Sequence, residues 1–180
     1  IKHPHRVEPP KLNELFIFPD FAQVDKMAGS PKGHVRGQEI INKIHEGDRI
    51  MITGSEKCGR TSGGKRVFEH MRSMGYVPVM LNGRDLMSVS YKSIRSSIAK
   101  QISYQYVDAD EDKYSNIPIG NRFLIIDDIH LAGKSLNDRK KILSFLHKNF
   151  GKILIFGTDI SSIEELIDEE PDMGGFSDYD

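Results

Sequence analysis

Apolar positions along this chain fall into two alternating kinds of run. Ile50-Met51-Ile52-Thr53, Tyr76-Val77-Pro78-Val79-Met80-Leu81, Phe123-Leu124-Ile125-Ile126 and Lys152-Ile153-Leu154-Ile155-Phe156 are short and nearly continuous. Strands buried on both faces of a parallel sheet have that pattern. Between them, apolar residues recur at helical spacing: Ile40, Ile41 and Ile44, then Val67, Phe68 and Met71, then Ile94, Ile98 and Ile102, then Ile142, Leu143, Phe145 and Leu146. Helices are predicted over Gly37–His45, from about Arg60 to Met74, around Ile94–Ile102, and over Leu136–Asn149. Pro78 places the second run at a sheet edge or at its own first residues. Strand and helix in alternation predict an α/β fold, a three-layer α/β/α sandwich with a mainly parallel central sheet. Ligands of such sheets lie at the carboxyl ends of the strands.

The flanks read less regularly. Residues 1 to about 12 hold three prolines and suggest an extended arm. Leu15-Phe16-Ile17-Phe18 is a candidate edge strand or packing segment, and Val24–Gly33 reads as a loop. Residues 107–120 read as an acidic exposed loop. Ser161–Asp168 has capping-box spacing for a short helix. The resulting division is an N-terminal arm and packing segment over 1–34, a principal domain over 35–170, and a linker over 171–180 to a further domain. The polar start without an initiator methionine reads as an internal cut in a longer protein.

Composition narrows the class. The chain has 180 residues, enough for one α/β domain with a sizeable core. Lys+Arg 25 against Asp+Glu 26 leaves a net charge of −1, so nucleic acid is not indicated by overall charge. No apolar run approaches the roughly 20 residues of a membrane span. One cysteine, Cys58, excludes an internal disulfide and fits a cytoplasmic setting. The seven histidines show no H-x-x-x-H or H-E-x-x-H spacing.

The candidate chemistry sits where the strands end. Gly54-Ser55-Glu56-Lys57-Cys58-Gly59-Arg60-Thr61 has the frame of a phosphate-binding loop directly after a strand, with arginine in the lysine position. The glycines allow the turn, backbone N–H groups and a helix start, including Ser62, would cradle phosphates, and Thr61 offers a hydroxyl to Mg²⁺. Arg60 keeps the charge but is a planar fork rather than a point charge on a flexible stem. In a second register, Gly59 to Lys65 also fits G-x-x-x-x-G-K, but it lacks the metal hydroxyl and starts too far from the strand. In the first register Gly63-Gly64 falls in the first helical turn, where each glycine costs roughly 1 kcal/mol relative to alanine.

Asp127-Asp128 ends the most apolar strand. Such a pair offers one acid to the Mg²⁺ shell and another, Asp128, to orient an attacking water; alternatively both simply end the strand. Thr158-Asp159 ends the next strand, either as a polar sensor beside the phosphates or as a helix cap. Val35-Arg36-Gly37-Gln38-Glu39 is either a segment closing over adenine or a loop-to-helix junction.

These residues together resemble a P-loop NTPase of the additional-strand class, nearest to the STAND group, over roughly residues 35–168. Gly75–Gly83 also resembles STAND proteins found beside bacterial effector domains. The resemblance implies a switch controlled by ATP or ADP with Mg²⁺, joined in one chain to sensor and effector domains and acting in signalling or antiphage defence. It leaves a nucleotide-dependent homo-oligomer open. Carried over, Gly54, Gly59, Arg60 and Thr61 would bind phosphate and metal, Asp127 would support the metal, Asp128 would be the catalytic acid, and Thr158 or Asp159 the sensor. Arginine in place of lysine implies weak or absent turnover. Leu124–Lys134 also resembles the replication-initiator branch of AAA+ proteins, and the alternative is an active AAA+-like ATPase acting on nucleic acid or as a loader.

Overall fold

The central strands alternate side chains between two helical layers, and that alternation organises the molecule. A computed structural model describes residues 16–24, 31–37, 39–55, 57–158 and 173–178. Its elements run β1 (Phe21–Val24), β2 (Pro31–Val35), α1 (Ile40–Glu46), β3 (Arg49–Thr53), α2 (Arg60–Ser73), β4 (Val77–Asn82), α3 (Tyr91–Gln105), α4 (Glu111–Ser115), β5 (Arg122–Asp127), α5 (Leu136–His147), β6 (Lys152–Gly157) and β7 (Met173–Asp178). They form one seven-stranded sheet in the order β2-β1-β7-β3-β6-β5-β4. From β7 to β4 every pairing is parallel, and β1 and β2 add an antiparallel margin.

Period-two alternation sends Met51, Leu124, Ile126, Ile153 and Ile155 to one face, where they pack with Ile94, Ile98 and Ile102 of α3 and Ile142, Leu143 and Leu146 of α5. The intervening residues, Ile50, Ile52, Phe123, Ile125, Leu154 and Phe156, meet Ile40 and Ile44 of α1 and Val67 and Met71 of α2. Each such side chain contributes about 1.5–3 kcal/mol through burial. The three-layer arrangement with a mainly parallel sheet is the expected one. Gly64 answers the helix-propensity conflict: a Cβ there would stand 3.0 Å from Met80 Cε and 3.3 Å from Phe156 Cε2. Glycine lets α2 lie close against the sheet.

β4 is an edge strand, and its free side is covered by side chains. The Gln105 amide receives Met80 N–H at 2.9 Å and donates to Met80 O at 2.6 Å, so it takes the place of a neighbouring strand. Tyr106 Oη donates to Pro78 O at 2.6 Å, and Tyr114 Oη to Val77 O at 3.2 Å. Tyr106 also sits 6.1 Å from the Phe68 ring and under the Arg72 guanidinium, joining α2 to α3 around the edge.

Several flank expectations are corrected. Residues 173–178, read as linker, form β7 between β1 and β3, and residues 31–33, the end of the segment read as loop, belong to β2, which pairs with β1. Backbone pairing determines both strands; neither has an apolar pattern of its own. The segment 16–20 is not a strand, although Phe16 and Phe18 pack edge to face at 5.0 Å. Within 107–120, Tyr114 is buried beneath α3, with Ala109 and Ile117 packed against the same core, so the segment is not simply exposed. The helix expected from Gly37 begins at Ile40. The expectations for residues 1–12 and 161–168 lie outside the described residues.

Candidate functional site

β3 and β5 deliver the loop and the acid pair to the same end of the sheet, with β6 interposed between them. In register, Thr53 lies opposite Gly157 and Asn82 opposite Asp127. Gly54 N–H bonds to Gly157 O at 3.2 Å, tying the start of the loop to the end of β6, where half-exposed Thr158 follows. The loop turns through left-handed Lys57 (φ 67°) and Gly59 (φ 93°), and α2 begins at Arg60 without a side-chain cap. Uncapped first-turn N–H groups at the positive end of a 14-residue helix favour an anion. Because α2 starts at Arg60, Gly63, Gly64 and Lys65 are helical, and the second register does not describe a loop.

The closest contact between loop and acids is Thr61 Oγ1 to Asp127 Oδ2, at 2.6 Å. Asp127 is 4% exposed, and its other oxygen, Oδ1, is buried with no hydrogen-bond partner among the described residues. A buried carboxylate oxygen without a partner is costly unless a donor or cation completes it. Paired with a hydroxyl, it presents the hard oxygen donors that Mg²⁺ takes, two from protein and the rest from phosphate and water. The described residues hold no group of three His, Cys, Asp or Glu placed to bind a metal by themselves.

Arg60 is already engaged. Its guanidinium donates to the Gly54 carbonyl, to Ser55 O at 2.7 Å, and to Asp128 Oδ1 at 3.4 Å, with Cys58 Sγ at 4.0 Å. Two loop carbonyls therefore converge on a cation inside the frame where N–H groups would converge on an anion. Arg60 is 10% exposed and Asp128 28%. Asp128 sits at φ 55°, a conformation an aspartate tolerates at some cost. A Cβ on Gly83 would overlap the Asp128 carbonyl, so the turn after β4 supports the turn after β5 directly.

Other expected residues are placed differently. Val35 is a buried core residue packed with the α1 face, and Arg36 is exposed, with Gly37 N–H bonding Asp20 Oδ1 at 2.8 Å. Ser62 lies in the first turn of α2. Glu56 and Asp159 lie outside the described residues.

Sequence reasoning missed two features. Phe16 and Phe18 pack on the loop, with Phe16 3.4 Å from where a Gly59 Cβ would lie. A cleft of about 570 Å³ opens beside Thr61 and Asp127, over the β4 edge between α2 and α3. Lys65, Phe68 and Glu69 line one side, Gln101 and Gln105 the other, with Met80, Leu81, Asn82 and Asp85 between. Two signals were present: Lys65 follows Thr61 by four, one helical turn, and Asn82-x-x-Asp85 is a capping box, which the structure forms.

No family model matches the chain, and no curated protein matches it. Solved structures do. Drosophila ORC bound to AT-rich DNA and Cdc6 aligns at TM-score 0.51 and 8% identity, over 79% of this chain and 28% of that one. Drosophila ORC bound to poly(dA/dT) DNA and Cdc6 aligns at 0.50 and 8%, over 79% and 27%. Cdc6p from Pyrobaculum aerophilum aligns at 0.49 and 12%, over 86% and 50%. The chain thus spans about a quarter to a half of the chains it resembles. At such identity the likeness is one of fold, and the fold is that of a P-loop NTPase.

Proposed function

We propose that the chain is an ATP- or ADP-binding switch module with Mg²⁺ and with weak or absent hydrolysis, the nucleotide-binding part of a larger STAND-like signalling or defence protein of the cytoplasm. The observation that carries the nucleotide reading is the Thr61–Asp127 pair, with a buried, partnerless carboxylate oxygen beside an uncapped helix start. In this reading the first-turn N–H groups of α2 receive phosphate oxygens. Thr61 and Asp127 would hold Mg²⁺, which when bound would supply neutralisation of phosphate charge. The signalling and defence context, and partners in the same chain or in a homo-oligomer, rest on the sequence resemblance alone.

Arg60 supports the switch half of the proposal. Asp128, the candidate acid for orienting water, is paired with Arg60, which also closes the loop. A phosphate entering the cradle competes for Arg60 and so alters what holds Asp128. Thr158 and Asp159, the latter outside the described residues, remain sensor candidates. Val35 and Arg36 remain candidates for the adenine side.

Calorimetric titration with ATP and ADP, with and without Mg²⁺, beside an Arg60→Lys variant, tests this. The original chain is expected to bind nucleotide with little turnover, and the variant to gain turnover. Binding in neither protein overturns the proposal and leaves a P-loop scaffold. The Drosophila neighbours are solved with DNA, which favours a second reading as a DNA-acting ATPase; strong turnover by the original chain, stimulated by DNA, would establish it instead.

A further inference from the structure

The residue at the motif's lysine position is not the cation most available to a ligand. Arg60 is largely buried, and its guanidinium is held by two loop carbonyls and by Asp128. Leaving this arrangement would strip the Gly54 and Ser55 carbonyls of their donor. Lys65 differs in each respect. It is exposed, it has no ion pair or hydrogen bond among the described residues, and it lines the cleft that contains Thr61 and Asp127.

Its place on α2 gives it reach. Thr61 and Lys65 are one turn apart on the same face, and helical side chains lean toward the N-terminus, over the preceding turn. A lysine stem at 65 therefore sweeps across Thr61 toward the mouth of the cleft. The orphaned Asp127 Oδ1 marks the same position as one lacking positive charge. On the nucleotide reading, the first-turn N–H groups of α2 would hold phosphate oxygens, and Thr61 and Asp127 would hold the metal. The cleft opens beside these two residues, and Lys65 lines it with them.

We propose that Lys65 supplies the mobile cation of the site, contacting the terminal phosphate of a nucleoside triphosphate while Arg60 maintains the loop. This inference rests on the nucleotide-binding reading and names how that site would tell a triphosphate from a diphosphate. It assigns the motif's usual charge to a residue five positions further along α2, approaching from the cleft rather than from the loop.

The test is titration of the 180-residue chain and of Lys65→Gln and Lys65→Arg variants with ATP and ADP in Mg²⁺, with thermal melting as the control for folding. Lys65→Gln is expected to weaken ATP binding about tenfold, as loss of one charged hydrogen bond does, and to leave ADP binding and the melting temperature unchanged. Lys65→Arg is expected to restore most of the ATP affinity. If the unaltered chain binds ATP and Lys65→Gln binds it equally well, or loses ATP and ADP alike, the Lys65 role is overturned while the nucleotide reading stands. If the unaltered chain binds neither nucleotide, both fall.

Discussion

β4 and β5 lie side by side, yet the free edge of one and the carboxyl end of the other treat polar groups in opposite ways. Along the β4 edge, Val77, Pro78 and Met80 have their outward backbone groups met by Tyr114, Tyr106 and Gln105. At the end of β5 and beside it, Asp127 Oδ1 and Arg60 Nε are buried without a partner among the described residues, and Asp128 adopts a left-handed backbone. The chain satisfies this exposed strand edge with single side chains, whereas the end of β5 has Asp127 Oδ1 left over among the described residues. On the proposed function, the unsatisfied oxygen at β5 is where a ligand would complete the structure, whereas the satisfied groups of β4 close the sheet's edge.

The sharpest way to break the contrast is at Asp127. Asp127→Asn is expected to lower Mg²⁺-dependent nucleotide affinity about a hundredfold, the upper part of the range for disturbing a metal site. Its melting temperature should hold or rise, because a buried uncompensated charge is removed. Calorimetry and melting together check this; a fall in stability with unchanged binding would place Asp127 among purely structural residues. Gln105→Ala is the converse case. It leaves Met80 N–H and C=O without their partner and should cost about 1–2 kcal/mol in urea unfolding, with nucleotide affinity unchanged.

The smallest effect is one of pH. Burial raises the Tyr106 hydroxyl to about 12, against an opposing pull from the Arg72 guanidinium. Below pH 10 the folded and unfolded chains both keep this proton, so it gives no pH dependence. Between 10 and about 12 the unfolded chain loses it first and binds fewer protons, and stability falls as pH rises. Tyr106→Phe should make that part of the stability profile less steep, measured by melting from pH 9 to about 11, with Tyr114, also raised by burial, keeping the rest of the slope.

The sequence announces the parts of this fold that carry their own burial signal. Runs such as Phe123–Ile126 and the spacing of Ile94, Ile98 and Ile102 demand two-sided and one-sided burial, and they appear as β5 and α3 within a few residues of expectation. β1, β2 and β7 were not legible. Met173-Gly174-Gly175-Phe176-Ser177-Asp178 has little to bury and becomes a strand through its neighbours β1 and β3. The loop, Thr61 and the acid pair could be read because a phosphate site imposes residue type and spacing at once. The grip of Arg60 on the Gly54 and Ser55 carbonyls could not be, since backbone acceptors leave no trace in residue identity. Lys65 was visible as a residue but not as part of the cleft, because that depends on how closely α2 lies on the sheet.

Gly83 has a mechanical consequence. There is no room for a methyl group between it and the Asp128 carbonyl, so the two turns form a single bearing surface. The next element along is rigidly attached: Asp85 O receives Ser97 Oγ at 2.6 Å, and Asp85 Oδ2 receives Gln101 Nε2 at 3.2 Å, both from α3. The backbone of Asp128 thus abuts a turn that is itself hydrogen-bonded to α3. The acid at the sheet's end and a surface helix are therefore only one turn of chain apart, joined by packing at Gly83 and by hydrogen bonds at Asp85.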